Sequence, residues 1–331
     1  MEAQTGKTAL VTGATSGIGH ELANLFAKDG YNLVLVARNG ENLNQIAEAY
    51  AQQFGITVTP IATDLVDPKS PETIYDETRR RGITVDVLVN NAGMGEYGMF
   101  ANETDLQKEL SIIQLNATSL VHLTKLFLKD MVQRNEGKIL MLASVASIMP
   151  NPLMAVYGAT KSFILSFTEA LQNELKDTNV TVTALLPGAT NTDFFNKAGA
   201  EGTRAHQQAQ QTDPAKVAKD GYDALMKGKE KIVSGFMNKA QVAMSHVLPD
   251  ELIAGSMRKQ MERPGESKPE RESEDQDQSL LITAIAVGFV AATTLLWAFG
   301  AMDHSWKKEA SSVRRKTRLA GKSLFDSLSL N

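Results

Sequence analysis

Short runs rich in β-branched and apolar residues alternate with longer amphipathic stretches, and this alternation restricts the chain more than any other feature. TALVT (8–12), NLVLVA (32–37), TVTPIA (57–62), DVLVN (86–90), KILMLAS (138–144) and TVTALL (181–186) read as buried strands, and EKIVSG (230–235) supplies a seventh. Between them GHELANLFAKDG, ENLNQIAEAYAQQF, LQKELSIIQLNATSLVHLTKLFLKDMVQ and AVYGATKSFILSFTEALQNELK repeat apolar residues at helical spacing. Strands that return through helices pair in parallel, and right-handed crossovers cover both faces of the sheet. The fold class expected is therefore α/β, a doubly wound parallel sheet of about seven strands. The 331 residues suit one large domain of this kind or two small ones.

The turn after the first strand, VTGATSGIG, opens the first helix. Gly13, Gly17 and Gly19, with Ser16 and Ile18 between and beside them, bring backbone amides to a helix N-terminus, where free N–H groups and the helix dipole favour a pyrophosphate. This placement predicts a dinucleotide site. The end of the second strand reads LVARN. Ala37 stands where an NAD-binding sheet carries a carboxylate for the ribose 2′-OH, and Arg38 follows, which suits a 2′-phosphate; NADP(H) is expected over NAD(H).

In YGATK, Tyr157 and Lys161 are four residues apart on a helical pattern and share a face. Taken alone, the pair reads as a core tyrosine beside a lysine reaching solvent. In company the motifs say more. TGATSGIG (12–19), NNAG (90–93), YGATK (157–161) and PGATNT (187–192) resemble, in order and spacing, the signature of the short-chain dehydrogenases/reductases, over about residues 5–240. Within that family the body looks most like bacterial NADP-dependent reductases of ketoacyl and similar carbonyl substrates. The resemblance implies a Rossmann-type sheet and a catalytic tetrad of Asn116, Ser144, Tyr157 and Lys161, with Ser147 the neighbour whose spacing to the tyrosine does not fit.

The resemblance also implies cofactor contacts. Asp64 takes the adenine position, Asn90, Ala92 and Gly93 line the cofactor at the end of the fourth strand, Pro187 and Gly188 close over the nicotinamide, and Thr192 bonds its amide; Tyr157 and Lys161 reach the cofactor as well. Thr190 departs from the family's usual Ile or Val. The chemistry expected is transfer of a hydride from NADPH to a ketone, 3-oxoacyl or other lipophilic carbonyl compound, giving a secondary alcohol. Tyr157 is the proton donor, its phenol tuned by the Lys161 ammonium; Ser144 holds the carbonyl oxygen, and Asn116 orders a water behind Lys161. Phe194 and Phe195, in a polar and Gly-containing run read as a flexible lid, are expected at the substrate, with Met94, Met149, Met154 and Phe100 as candidate pocket floor. Two other readings stay open: a non-catalytic NADP(H)-binding regulator, against which the intact tetrad weighs, and an NADP-dependent alcohol dehydrogenase working oxidatively.

Composition removes other classes. There is no cysteine, so disulfides and thiolate metal sites are excluded, and the five histidines lack ligand spacing, so no metal is expected. A net charge of −4 gives no reason to expect nucleic acid. No export signal is read at the N-terminus. The body is taken as residues 1–262, followed by a charged, Pro-containing linker (263–279), an uncharged run (280–302) long enough to span a bilayer, and a basic tail (303–331). The expected location is a membrane, with the catalytic domain facing the cytoplasm. The tail's seven Lys/Arg against three acids also favour the cytoplasmic side, so either the tail crosses despite its charge or residues 280–302 form a re-entrant or interfacial element. A homodimer or homotetramer through the two long helices, about 103–134 and 155–176, is expected from the resemblance.

Overall fold

The computed structural model describes residues 5–245 and 247–265. The expected linker beyond residue 265, the uncharged run 280–302 and the basic tail lie outside the described residues, and no helix among the described residues is long and apolar enough to cross a membrane. Seven strands, β1 (Thr8–Thr12), β2 (Asn32–Ala37), β3 (Val58–Ala62), β4 (Val87–Asn90), β5 (Gly137–Leu142), β6 (Val180–Leu186) and β7 (Lys231–Val233), form one sheet in the order β3-β2-β1-β4-β5-β6-β7. Every pairing is parallel. The Rossmann-type sheet expected from the alternating pattern is therefore present.

The strands are apolar at almost every position because both faces are covered. Along β1, Leu10 points into one core, while Ala9 and Val11 point into the other. The first core is closed by α3 (Ser70–Arg80), α5 (Ser119–Arg134) and α6 (Ala155–Glu174), which contribute Ile74, Leu123, Phe127 and Ile164. The second is closed by α1 (Gly17–Lys28), α2 (Gly40–Phe54) and α9 (Pro214–Met226), where Phe26 meets Tyr31 and Tyr222 edge to face, with ring centroids 5.2 and 4.8 Å away. Local signals set the helix ends. Asn39 caps α2 by accepting from the Asn42 N–H at 3.1 Å, and Asp213 caps α9, whose first residue is Pro214.

Two readings are corrected. The long helix expected over about 103–134 is α4 (Leu106–Ile113) and α5 joined by a π-helical stretch, Gln114–Thr118, which contains Asn116. The run after Pro187, read as a flexible lid with no helix assigned to it, carries α7 (Phe194–Ala198) and α8 (Arg204–Ala209), the latter capped by Thr203 accepting from His206 N. Two further helices, α10 (Phe236–Ser245) and α11 (Asp250–Met261), complete the body.

Between β1 and β4 the strand order reverses, since the chain runs outward to β3 and then crosses to β4. In such sheets a crevice opens beyond the carboxyl ends of the strands at the reversal point. Here a cavity of about 540 Å³ lies there, lined by the segments that follow β1, β2, β3, β4, β5 and β6.

Candidate active site

Lys161 organises the cleft. It lies on α6, is 3% exposed, and its Nζ donates to the Leu142 carbonyl at the end of β5 at 2.6 Å. Burial holds its pKa down to about 8. One turn earlier, the Tyr157 ring has its centroid 5.7 Å from that Nζ. Burial pushes the Tyr157 phenol up to about 12, against a hydrogen bond with Ser144 that pulls it down. Burial thus outweighs the Ser144 hydrogen bond: taking a phenolate out of water costs more than that neighbour returns.

Ser144 follows β5 and is nearly buried. Its Oγ accepts the Ala146 N–H at 3.1 Å, while its own proton finds the Pro187 carbonyl only at 3.5 Å. Ser144 lines the cavity together with Tyr157 and Lys161. Ser147 is turned away, accepting the Ser144 N–H at 3.1 Å, so it braces Ser144 and does not compete with it. Asn116 is 1% exposed. Its amide exchanges two hydrogen bonds with the Met94 backbone, 3.0 and 2.9 Å, and donates to Thr160 Oγ1 at 3.1 Å. Thr160 in turn donates to the Tyr157 carbonyl at 2.8 Å. Asn116 therefore ties the end of β4 to the helix that carries Tyr157.

The opposite side of the reversal point suits a dinucleotide. Gly13 and Gly17 have φ of +68° and +55°, where only glycine is unstrained. A Cβ on Gly13 would lie 2.8 Å from Asn91 Nδ2, and one on Gly17 would lie 2.7 Å from Thr192 Cγ2. A Cβ on Gly19 would overlap the Gly13 carbonyl. Ser16, at the N-cap of α1, makes no capping bond with its side chain, and the first turn holds no acid, so the amides beside Ser16, Gly17 and Ile18 face the cavity uncapped. At the end of β2, Arg38 stands 3.9 Å from Asp64, with both side chains well exposed. So loose a surface pair leaves the guanidinium able to bind a phosphate. Ala92, Gly93, Pro187, Gly188 and Thr192 all line the cavity. The residues present fit NADP(H).

Asn90 does not line the cavity: its amide turns into the core and donates to Thr124 Oγ1 at 3.0 Å. Its neighbour Asn91, not singled out from the sequence, donates to the Thr12 carbonyl at 2.8 Å and holds the Gly-rich turn against β4. Thr190 closes its own turn by donating to the Gly188 carbonyl at 2.9 Å, so its polarity is spent locally. On the substrate side Phe194 packs against Tyr157, ring centroids 4.9 Å apart. Met94 and Met154 line the cavity, whereas Met149 is core and Phe100 is 60% exposed. Met257, Gln260 and Met261 of α11 also line it, about a hundred residues beyond Tyr157 and without a local motif to mark them.

The chain belongs to the short chain dehydrogenase family, whose model matches residues 7–202. It is 37% identical over 187 residues to the very-long-chain 3-oxoacyl-CoA reductase of Bos taurus, covering 55% of this chain and 59% of that protein. It is also 37% identical over 186 residues to sulfoacetaldehyde reductase 2 of Chromohalobacter salexigens, covering 56% of this chain and 73% of that protein. A short-chain dehydrogenase from Sphingobium yanoikuyae, solved in complex with NADPH, superposes with a TM-score of 0.65 at 28% identity, covering 73% of this chain and 96% of that one. The match thus spans little more than half the length of the bovine relative.

The burial of Lys161 has a measurable consequence. Below pH 8 both folded and unfolded chains carry the ammonium, and the folded chain bears the full cost of burying it. Between about 8 and 10.5 the unfolded chain still holds the proton that the folded chain has released, so this group's contribution to stability rises with pH. That interval corresponds to about 3 kcal/mol. Urea unfolding of wild type and Lys161→Met should therefore show the stability difference moving in the wild type's favour by about 3 kcal/mol across it. A difference that stays constant with pH contradicts the buried ammonium.

Proposed function

We propose that this short-chain dehydrogenase is an NADPH-dependent reductase that converts the carbonyl of a lipophilic compound to a secondary alcohol. The observation that carries the reading is one cavity with Tyr157, Ser144 and Lys161 on one side of the strand-order reversal and the Gly-rich turn with Arg38 on the other. NADPH supplies the hydride when bound. Gly13, Gly17 and the first turn of α1 hold its pyrophosphate, and Arg38 selects its 2′-phosphate.

The chain's own residues manage the proton. A phenol held near pKa 12 is protonated at neutral pH, which suits an acid that gives its proton to a carbonyl oxygen. Ser144, with its Oγ already accepting Ala146 N–H, has a proton to donate to the same oxygen. As Tyr157 gives up its proton, the Lys161 ammonium stabilises the phenolate from the same helix face. Lys161 then stands ready to return a proton, because its own pKa is about 8.

Phe194, Met94, Met154, Met257 and Met261 make the substrate side apolar, which favours a lipophilic ketone over a small charged aldehyde. The 3-oxoacyl specificity carried by the bovine relative's name agrees with this lining. Residues 280–302 tether the body to a membrane in this reading, where such substrates partition.

Full-length chain in detergent micelles should oxidise NADPH in preference to NADH with ketones from small diketones to long-chain 3-oxoacyl thioesters. Tyr157→Phe should lower turnover by about 10²–10⁴ while leaving NADPH affinity within a factor of a few. Arg38→Ala should cost about tenfold or more in NADPH affinity and spare NADH. Tight NADPH binding without turnover of any ketone contradicts the reading, and a preference for NADH contradicts the role of Arg38.

We further infer self-association through the long helices. Leu106, Leu110 and Ile113, spaced along one face of α4, are 62, 48 and 42% exposed, and Phe163 on α6 is 45% exposed. Light scattering should give a dimer or tetramer for wild type and a smaller species for Leu110→Asp; an unchanged mass for the variant contradicts this interface.

A further inference from the structure

The substrate side of the cavity has two apolar walls that come from distant parts of the chain. One is the lid, with Phe194 and Phe195 on α7 and Ala205 on α8; the other is α11, with Met257 and Met261. Phe195, Ala198, Ala205 and Met261 belong to one buried cluster, so the walls meet. Apolar contact alone does not fix how far apart two short helices sit. Something must set the gap.

Two arginines do so reciprocally. Arg263, directly after α11, donates from Nε to the Glu201 carbonyl at 3.0 Å and from its terminal nitrogen to the Gly199 carbonyl at 3.1 Å. Both carbonyls belong to the α7–α8 turn. In return Arg204, which opens α8, donates its guanidinium to the Lys259 carbonyl at 3.2 Å and its backbone N–H to the Glu262 carbonyl at 3.1 Å, both at the end of α11. Arg204 thus meets carbonyls that the end of α11 leaves unpaired, and Arg263 meets two carbonyls of the turn between α7 and α8. The Arg263 guanidinium also lies over the Tyr97 ring, 5.2 Å from its centroid, and Tyr97 N donates to the Ala198 carbonyl at 2.9 Å. The loop after β4, the lid turn and the end of α11 are joined at this one point.

We propose that Arg204 and Arg263 form a clamp that positions the lid against α11, making Met257 and Met261 the wall that decides which carbonyl compounds reach Tyr157. Arg263 is a positioning residue, since it acts through the lid and does not line the cavity. The specificity half rests on the reductase reading above; the clamp itself does not. A planar fork that serves two carbonyls and a ring face at once cannot be replaced by lysine, so Arg263→Lys should resemble Arg263→Ala.

The test is hydrogen exchange on the full chain in detergent micelles, comparing wild type, Arg263→Ala and Arg263→Lys, with peptides covering β1 as an internal control for folding. Amides in 194–209 should exchange about tenfold faster or more in both variants, with β1 unchanged. In parallel, KM for 3-oxohexadecanoyl-CoA should rise about tenfold in Arg263→Ala while kcat, and KM for butane-2,3-dione, change little. Unchanged exchange in 194–209 overturns the clamp. Faster exchange with the same KM shift for large and small ketones overturns the specificity wall. Faster exchange where neither protein turns over any ketone upholds the clamp and counts against the reductase reading alone.

Discussion

A lysine ammonium with almost no access to water is the constraint on which the cleft depends. Lys161 can be buried because the end of β5 presents the Leu142 carbonyl to its ammonium at 2.6 Å. That requirement fixes α6 relative to β5. The Asn116–Met94–Thr160 hydrogen bonds then lock β4, the π-helical stretch and the turn of α6 that bears Tyr157 into one piece. The cost of burying charge is thus spread over a network that also aims the phenol, which is why such a costly arrangement coincides with the site and not with the bulk of the core.

Much of this was legible in the sequence, for identifiable reasons. A strand buried on both faces writes itself as a continuous apolar run, so β1, β2 and β4 show plainly, and the sheet follows from the helices between them. The glycines of the first turn are legible because no other residue fits φ of +68° and +55° at so close an approach. Tyr157 and Lys161 are legible because helical spacing puts them on one face and the Gly-rich turn, NNAG and PGATNT accompany them in order. Ser144 and Ser147 could be told apart only by spacing, and the structure gives the physical distinction: one opens on the cavity, the other caps it from behind.

What stayed hidden depends on tertiary packing. Asn90 and Asn91 are adjacent amides on one strand end, and alternation along the strand sends the first into the core and the second to the Gly-rich turn. Neither direction is written in the residue type. The helices of the lid were not evident because its run is polar and carries glycines, yet Thr203 caps α8 and Arg263 holds the Gly199 carbonyl that follows α7. The α11 wall joins the site across about a hundred residues, and a pair of methionines carries no motif. The phenol's upward shift stayed hidden as well: spacing reveals a neighbouring cation but not the loss of water around the phenol.

The central claim is that this cleft delivers a hydride to a carbonyl carbon and the Tyr157 proton to its oxygen. The most direct measurement follows the isotope. With NADPH deuterated at the transferable position and a long-chain 3-oxoacyl thioester, the account predicts an alcohol bearing one deuterium on the carbinol carbon, as a single stereoisomer, formed by wild type and not by Tyr157→Phe. An alcohol without deuterium at that carbon, or equal labelling by the variant, would contradict it.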